Sequence, residues 1–403
     1  MTNRIPAIKI IKTLRRNGFT ALLAGGCVRD MLLKRPAKDY DVATDARPAE
    51  ITKLFKRTIQ VGAKFGVVIV LLDNTQTEVA TFRTDTGYAD GRHPQNVIFT
   101  TPAEDAARRD FTINGMFYDP VGKKVIDYVD GQKDLEKKII RTIGNPKKRF
   151  SEDYLRMLRA VRFSTQLNFE IAPETFSAIR TNAKNIHKIS GERIAMELQA
   201  VLTDPDRAIG LQMLEETTLI KHIFTALTKN NISFAVKVSA SLKKQTDFPL
   251  ALAAVFSDCK MDFALDKIKI LKLSNNQIRH IKFLLANRDR LLNFQMPLSE
   301  LRLIVSEPYF LDLYELQKSI NKAEGKSIST LIRLKKRINQ LGDIELRPKP
   351  LLDGHELMKL GAAAGPSLGR LAQEMYIAQL ENTIKTKSQA AQWVKNRLNI
   401  QMK

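Results

Sequence analysis

Two aspartates one residue apart, Asp39 and Asp41 in KDYDVAT, have the spacing in this 403-residue chain that most directly suggests chemistry. In a strand, residues i and i+2 project from one face, so both carboxylates are expected to point together while Tyr40 and Val42 face the other way. Two hard oxygen ligands one strand step apart suit Mg2+, which takes one or two carboxylates and leaves the rest of its shell to substrate phosphates. Glu78, in TEVATFR, is a third carboxylate in an otherwise apolar strand, costly to bury unless it faces a metal or a donor such as Arg83. Alone, the aspartate pair reads equally as a surface turn, and Glu78 as a solvated position.

The segment just upstream changes that balance. Gly25 and Gly26 close an apolar run before a helical stretch, where bare backbone amides let a triphosphate approach and Arg29 can reach its oxygens. The paired glycines, Arg29-Asp30 and the two aspartates all fall within 17 residues. Farther along comes Glu152-Asp153-Tyr154-Leu155-Arg156. This reads as the start of a helix capped by Ser151 with two acids in its first turn, so that Asp153 and Arg156, three apart, share a face. A carboxylate only accepts hydrogen bonds and a guanidinium only donates them. Cytosine and adenine both show an amine donor beside a ring-nitrogen acceptor, and uracil and guanine reverse both. Were a nucleobase to meet this face, Asp153 opposite the amine and Arg156 opposite the acceptor would favour C and A, with a mismatch costing roughly a few kcal/mol. As an isolated surface ion pair the same two residues would be worth at most ~0.5 kcal/mol.

The elements that must position these residues follow from the apolar pattern. From residue 20 to about 145, short β-branched runs bounded by Gly, Asn or Asp alternate with brief helical stretches, including residues 48–56 and 30–34. Beyond Pro146, apolar residues recur at three- and four-residue spacing almost to the end, so this part is expected to be all helical. The fold class is α+β, with a catalytic head over 1–145, a helical neck over 146–205 carrying the selecting residues, a helical body over 206–325 and a helical tail over 326–403. The 65 Lys and Arg exceed the 43 Asp and Glu by 22, which points to a polyanionic partner, since neutralising phosphates releases counterions. No run of ~18 apolar residues and no signal peptide stands out, so a cytoplasmic protein with no membrane partner is expected. Cys27 and Cys259 form neither a disulfide framework nor a CxxC site and read as packing residues. The five histidines make no HExxH or paired cluster, and His93 reads as a loop contact.

GGCVRDMLLKRPAKDYD resembles the first motif of class II tRNA nucleotidyltransferases, a branch of the DNA-polymerase-beta-like superfamily. RRDFTING, DPVGKKVIDYVDGQKDL, EDYLRMLRAVRF and ISGERIAMEL follow in that family's order, and LLDGHELMKLGAAAGPSLGRL is similar to its C-terminal region. The resemblance implies a polymerase-beta-like head and an enzyme that builds the 3'-terminal CCA of tRNA from CTP and ATP, releasing pyrophosphate by two-metal chemistry with Mg2+. It implies that Asp39 and Asp41 bind the metals, and Glu78, by its place in the strand, reads as a third catalytic carboxylate. It also implies that Gly25, Gly26, Arg29, Arg108, Arg109, Asp110, Asn114, Asp153, Arg156, Arg159 and Arg162 bind the nucleotide. Phe111 and Ile113 read as core. Gly115 stands where the family commonly has alanine, a small-for-small change of little expected consequence. Enzymes of the family that stop after CC lack a flexible stretch before RRD; here residues 83–107 look uninterrupted, with Gly87 and Gly91 as pivots and Arg92 as a lever, which favours adding the final A. An enzyme adding only A or only CC, a poly(A) polymerase, and a non-enzymatic RNA-binding protein are the alternatives. Residues 145–149, 334–337 and 385–387 are basic stretches that could meet the acceptor arm of tRNA, and Trp393 is expected to pack between helices.

Overall fold

The structure, a computed structural model, describes residues 4–88 and 94–401. It comprises two units: one holds the chain as far as Val236 together with Ala264–Leu273, the other Lys237–Phe263 and the chain from Ser274 onward. Among the described residues no helix is long and apolar enough to cross a membrane.

In the first unit, helix α1 (Arg4–Arg16) has Ala7, Ile10, Ile11 and Leu14 on one fully buried stripe, the spacing that a helix needs to cover a sheet. It packs on β1 (Ala21–Ala24) and β2 (Asp41–Thr44), which are separated by α2 (Gly26–Leu32). After α3 (Pro48–Leu54) come β3 (Thr58–Gly62), β4 (Val67–Leu72) and β5 (Thr75–Thr81). Asp73 and Asn74, both at positive φ, make the two-residue turn between β4 and β5, as residues tolerant of that region do in tight hairpins. A second hairpin, β6 (Arg83–Tyr88) with β7 (Pro94–Phe99), leads into α4 (Pro102–Ala107), and the chain returns to the main sheet through β8 (Phe117–Asp119) and β9 (Lys124–Ile126).

The sheet order is β3-β4-β5-β2-β1-β8-β9, with β2 and β5 the parallel pair among antiparallel neighbours. Register decides the chemistry. Ala24 pairs with Asp41 across β1 and β2, so Gly25 and Gly26 leave the sheet beside Asp41. Val42 pairs with Val79 across β2 and β5, so one step earlier Asp41 and Glu78 are neighbours. Leu22, Ala24, Ala43, Phe82, Ala106 and Phe117 form the core beneath, with Phe82 and Phe117 edge to face at 5.7 Å.

Of the stretch 83–107, expected to be flexible, residues 83–88 and 94–99 pair as β6 and β7 and are followed by a helix with a capping box of Thr101 and Glu104. Gly87 lies within β6; Gly91, Arg92 and His93 lie outside the described residues. After α5 (Gly131–Glu136), the short β10 (Ile139–Ile140) pairs in parallel with β11 (Glu170–Ile171), a two-residue exception to an otherwise helical second half.

The helix expected to start at Ser151 is a correction. Helix α6 (Pro146–Glu152) ends there, Asp153 is extended at φ −152 and ψ 106, and α7 (Leu155–Leu167) begins anew. Ser151 donates back to Lys148 O and caps nothing, while Asp153 Oδ1 accepts the Leu155 N–H at 3.0 Å. Helices α8 (Pro173–Asn182) and α9 (Gly191–Leu202) pack on α6 and α7 respectively.

In the second unit, the wholly buried helix Phe248–Val255 packs against Asn275–Asn287 and Phe310–Ala323. Leu352, Leu357, Met375, Ile384 and Val394 form a separate cluster, against which Trp393 packs as expected. Both cysteines are buried and unbridged.

Candidate active site

The end of the sheet where β1, β2 and β5 present Gly25, Gly26, Asp41 and Glu78 opens into a cleft of ≈ 530 Å³, a volume suited to a small ligand. Its other wall comes from the segment after α4, from the α6–α7 joint and from α7 and α9: Arg108, Arg109, Asp110, Asn114, Asp153, Arg156, Arg159, Phe163 and Arg193. Arg29 and Arg83 also line it, which makes seven arginines facing four carboxylates, a strongly anion-attracting surface.

Asp41 begins β2 and is open to the cleft, yet its carboxyl is pushed up to about 6. Partial desolvation is the main cause, followed by the charge of Glu78 and, after the opposing effect of Arg109, that of Asp39. Three carboxylates thus crowd one another, and their all-oxygen donor set is the environment a hard divalent cation would relieve. The expected strand geometry holds only in part, because Asp39 precedes β2 and is exposed outside the cleft lining. Glu78 is likewise exposed, between buried Thr77 and Val79, so it needs no donor to offset burial.

Gly25 sits at φ 75 and ψ −133, a combination that side chains resist, and a Cβ there would lie 2.9 Å from Arg109 Nη1. Its own N–H donates to Met116 O at 3.1 Å, so Gly25 turns the chain and offers no free amide. Gly26 starts α2 with only Arg29 Nη2 nearby, at 3.7 Å. Arg29 donates to Asp30 Oδ1 and, from Nη1, to Asn114 Oδ1 at 2.7 Å.

The RRDFTIN segment divides its work. Phe111 and Ile113 are fully buried core residues, as expected. Burial alone would raise the Asp110 carboxyl, but Arg159, donating from Nε and Nη2 at 2.8 and 2.6 Å, together with Asn114 and the Phe111 N–H, holds it down at about 2. Asp110 is therefore committed to orienting Arg159 and Asn114. Gly115 is a second correction: a Cβ would meet Val129 Cγ2 at 2.6 Å and Ile143 Cδ1 at 3.0 Å, so the family's alanine does not fit without a shift.

Asp153 and Arg156 both line the cleft, each held by a partner that sequence reasoning missed. Arg193 Nη2 donates to Asp153 Oδ2 at 2.7 Å, and Arg156 Nη1 donates to Glu152 Oε2 at 2.6 Å and to Arg149 O at 2.9 Å. Arg162 is not in the lining. It lies behind Phe163, 3.2 Å from the buried Glu197. The guanidinium carbons of Arg29, Arg159 and Arg162 stand 5.1, 5.3 and 4.4 Å from the Phe163 ring centre, each within cation–π range. The spacing of Asp105 from Arg108 and Arg109 was the available signal for another missed residue, a buried carboxylate paired with both.

The basic stretches are less free than their composition suggests. Arg149 donates to Ile143 O, Glu152 and Ala107 O; Arg337 donates to Phe294 O and Met296 O; Lys387 pairs with Glu356. Lys147, Lys148, Lys335, Lys336 and Lys385 remain exposed. In the second unit, Asp247, His280 and Asp312 bring ligand atoms within 4.8 Å of one another, a set able to hold a metal ion. The two ring nitrogens of His280 face different carboxylates, and Lys243 already pairs with Asp312 at 3.1 Å.

Residues 21–141 match the family described as the Poly A polymerase head domain, and residues 168–230 the family described as the probable RNA and SrmB-binding site of polymerase A. A CCA-adding enzyme from Lactobacillus johnsonii is 36% identical over 393 residues, covering 94% of this chain and 93% of its own. A CCA-adding enzyme from Geobacillus thermodenitrificans is 46% identical over 218 residues, 54% of each chain. The crystal structure of the Bacillus stearothermophilus CCA-adding enzyme in complex with CTP aligns with a TM-score of 0.83 at 28% identity, covering 100% of this chain and 99% of that one.

Proposed function

This chain belongs to the family of CCA-adding enzymes, and from that premise we propose that its cleft adds C, C and then A to the 3' end of tRNA from CTP and ATP in the cytoplasm. The observation that carries the reading is the convergence in one cleft of Asp41 and Glu78, an arginine wall, and Asp153 with Arg156. A small-molecule nucleotidyltransferase would share the carboxylates but have little use for a chain with 22 surplus positive charges.

In this reading Asp39 and Asp41 hold Mg2+, with Glu78 beside them. Divalent ions held there would lower the pKa of the attacking hydroxyl and would neutralise the departing pyrophosphate. Arg29, Arg108 and Arg109 take the triphosphate, and Asn114, anchored by Asp110, faces the ribose. Asp153 accepts from the exocyclic amine of C or A and Arg156 donates to the ring nitrogen, so U and G leave buried groups unpaired. Arg159 and, from behind Phe163, Arg162 shape this wall. No histidine is among the described lining residues, and two-metal chemistry needs no histidine base. Exposed lysines such as Lys335 and Lys336 supply salt-sensitive phosphate contacts that position tRNA without reading its sequence.

The test is to offer tRNA ending at the discriminator base, tRNA ending in CC, and an unrelated RNA, with each nucleotide supplied separately. The expected outcome is C, C, then A, followed by arrest. Activity confined to the CC-ended substrate would assign an A-adding enzyme, and open-ended A addition to the unrelated RNA a poly(A) polymerase. Mg2+-independent binding without incorporation would leave only an RNA-binding protein.

A further inference from the structure

Asp105 touches no part of the cleft's interior, yet it organises two residues that do. It lies in the last turn of α4 at 1% exposure. Its Oδ2 accepts from Arg109 Nε and Nη2 at 3.2 and 3.0 Å. Its Oδ1 accepts from Arg108 Nε at 2.9 Å, with Arg108 Nη2 at 2.8 Å, and from the backbone N–H of Arg83 at 3.3 Å. Burial by itself would raise this carboxyl, but Arg109 and then Arg108 outweigh it and hold it below the usual carboxylate range. Five donors on two oxygens make a junction between three segments: α4, the arginine pair and the root of the β6–β7 hairpin.

We propose that Asp105 is a positioning residue for triphosphate recognition, fixing the directions of the Arg108 and Arg109 guanidinium groups and fastening them to the hairpin root at Arg83. The proposal rests on the reading of those arginines as phosphate ligands. Two physical consequences give it content. Guanidinium groups ordered before the ligand arrives lose less rotamer freedom on binding, which strengthens affinity without a new contact. Arg109 also feels the charge of Asp41 across the cleft. Released from Asp105, it would turn toward Asp41 and be withdrawn from the phosphates.

The experiment compares binding of CTP and of cytidine, which lacks the phosphates, in the absence of divalent metal by titration calorimetry. Asp105→Asn keeps the side chain's size and loses its charge. It is expected to weaken CTP about tenfold, the effect of losing one charge-assisted contact, and to leave cytidine within about twofold. Amide exchange at Arg83 should quicken in the same variant. Equal losses for CTP and cytidine would mean a merely structural role and overturn the proposal, as would no loss for either. Arg109→Ala separates the levels. CTP loss in that variant with none in Asp105→Asn overturns the proposal alone, whereas unchanged CTP binding in Arg109→Ala overturns the phosphate reading and the proposal with it. If Asp105→Asn does not fold, Asp105→Glu, which displaces the charge by one methylene, carries the same comparison with the same expectation.

Discussion

The adjacent glycines Gly25 and Gly26 predict opposite effects for the same substitution. Gly25→Ala forces a side chain into φ 75, ψ −133, a region essentially restricted to glycine, at a cost of about 1–3 kcal/mol. The new methyl would also lie 2.9 Å from Arg109 Nη1, and because that atom ends a flexible side chain, the guanidinium gives way. Moving it breaks the 3.4 Å bond from Nη1 to Asn114 O and misdirects a group proposed to meet the phosphates, worth about another 1.5–3 kcal/mol in kcat/KM for CTP. Gly26→Ala meets only an ordinary contact at 3.7 Å in helical backbone and should match or exceed the parent's stability by about 0.4–1 kcal/mol through the unfolded chain. Thermal unfolding, at about 2–4 °C per kcal/mol for a unit of this size, reads the first difference, and steady-state CTP incorporation into tRNA lacking its terminus reads the second. A Gly25→Ala protein that melts and turns over like the parent, or a Gly26→Ala protein that melts lower than Gly25→Ala, would refute the reasoning.

Asp153→Ala should retain incorporation but lose discrimination against UTP and GTP, and Arg193→Ala should lose part of it; unchanged nucleotide choice in both, scored by competing triphosphates, would remove the base-selecting role. Asp110→Asn should destabilise the protein by about 3 kcal/mol in denaturant unfolding, because it leaves Arg159 charged and half-buried without its carboxylate. The Asp110 carboxyl is depressed, so its stabilising contribution is complete above the unfolded value near 4 and fades as pH falls through about 2; the variant should flatten that acid limb. The Asp41 carboxyl is raised, so in metal-free protein its stabilising contribution is complete below about 4 and is lost as pH rises through about 6. Melts in chelator at pH 5 and 7.5 should show that loss in the parent and not in Asp41→Asn.

What could be read from the sequence was local chemistry at short spacing. The glycine pair, Arg29 and Asp41 are close in sequence, and a strand-turn-helix brings them together almost unaided. The α+β head and the helical remainder follow from periodicity, and Phe111 and Ile113 stand out as the apolar positions of RRDFTIN. The α6–α7 break was legible only in part: the sequence suggests a helix start at Ser151, but the extended Asp153 and its bond from Arg193, 40 residues away, leave no mark in local spacing. Similarly, the partnership of Asp110 with Arg159 spans 49 residues and is fixed by packing rather than composition. Gly115 looked interchangeable with alanine because sequence does not reveal that Val129 and Ile143 already occupy the methyl's space.

The interruption at Asp153 gives the two residues proposed to select the base different anchors. Arg156 sits in the first turn of α7 with its guanidinium tied back to α6 through Glu152 and the Arg149 carbonyl, whereas Asp153 lies in neither helix and is tied to α9 through Arg193.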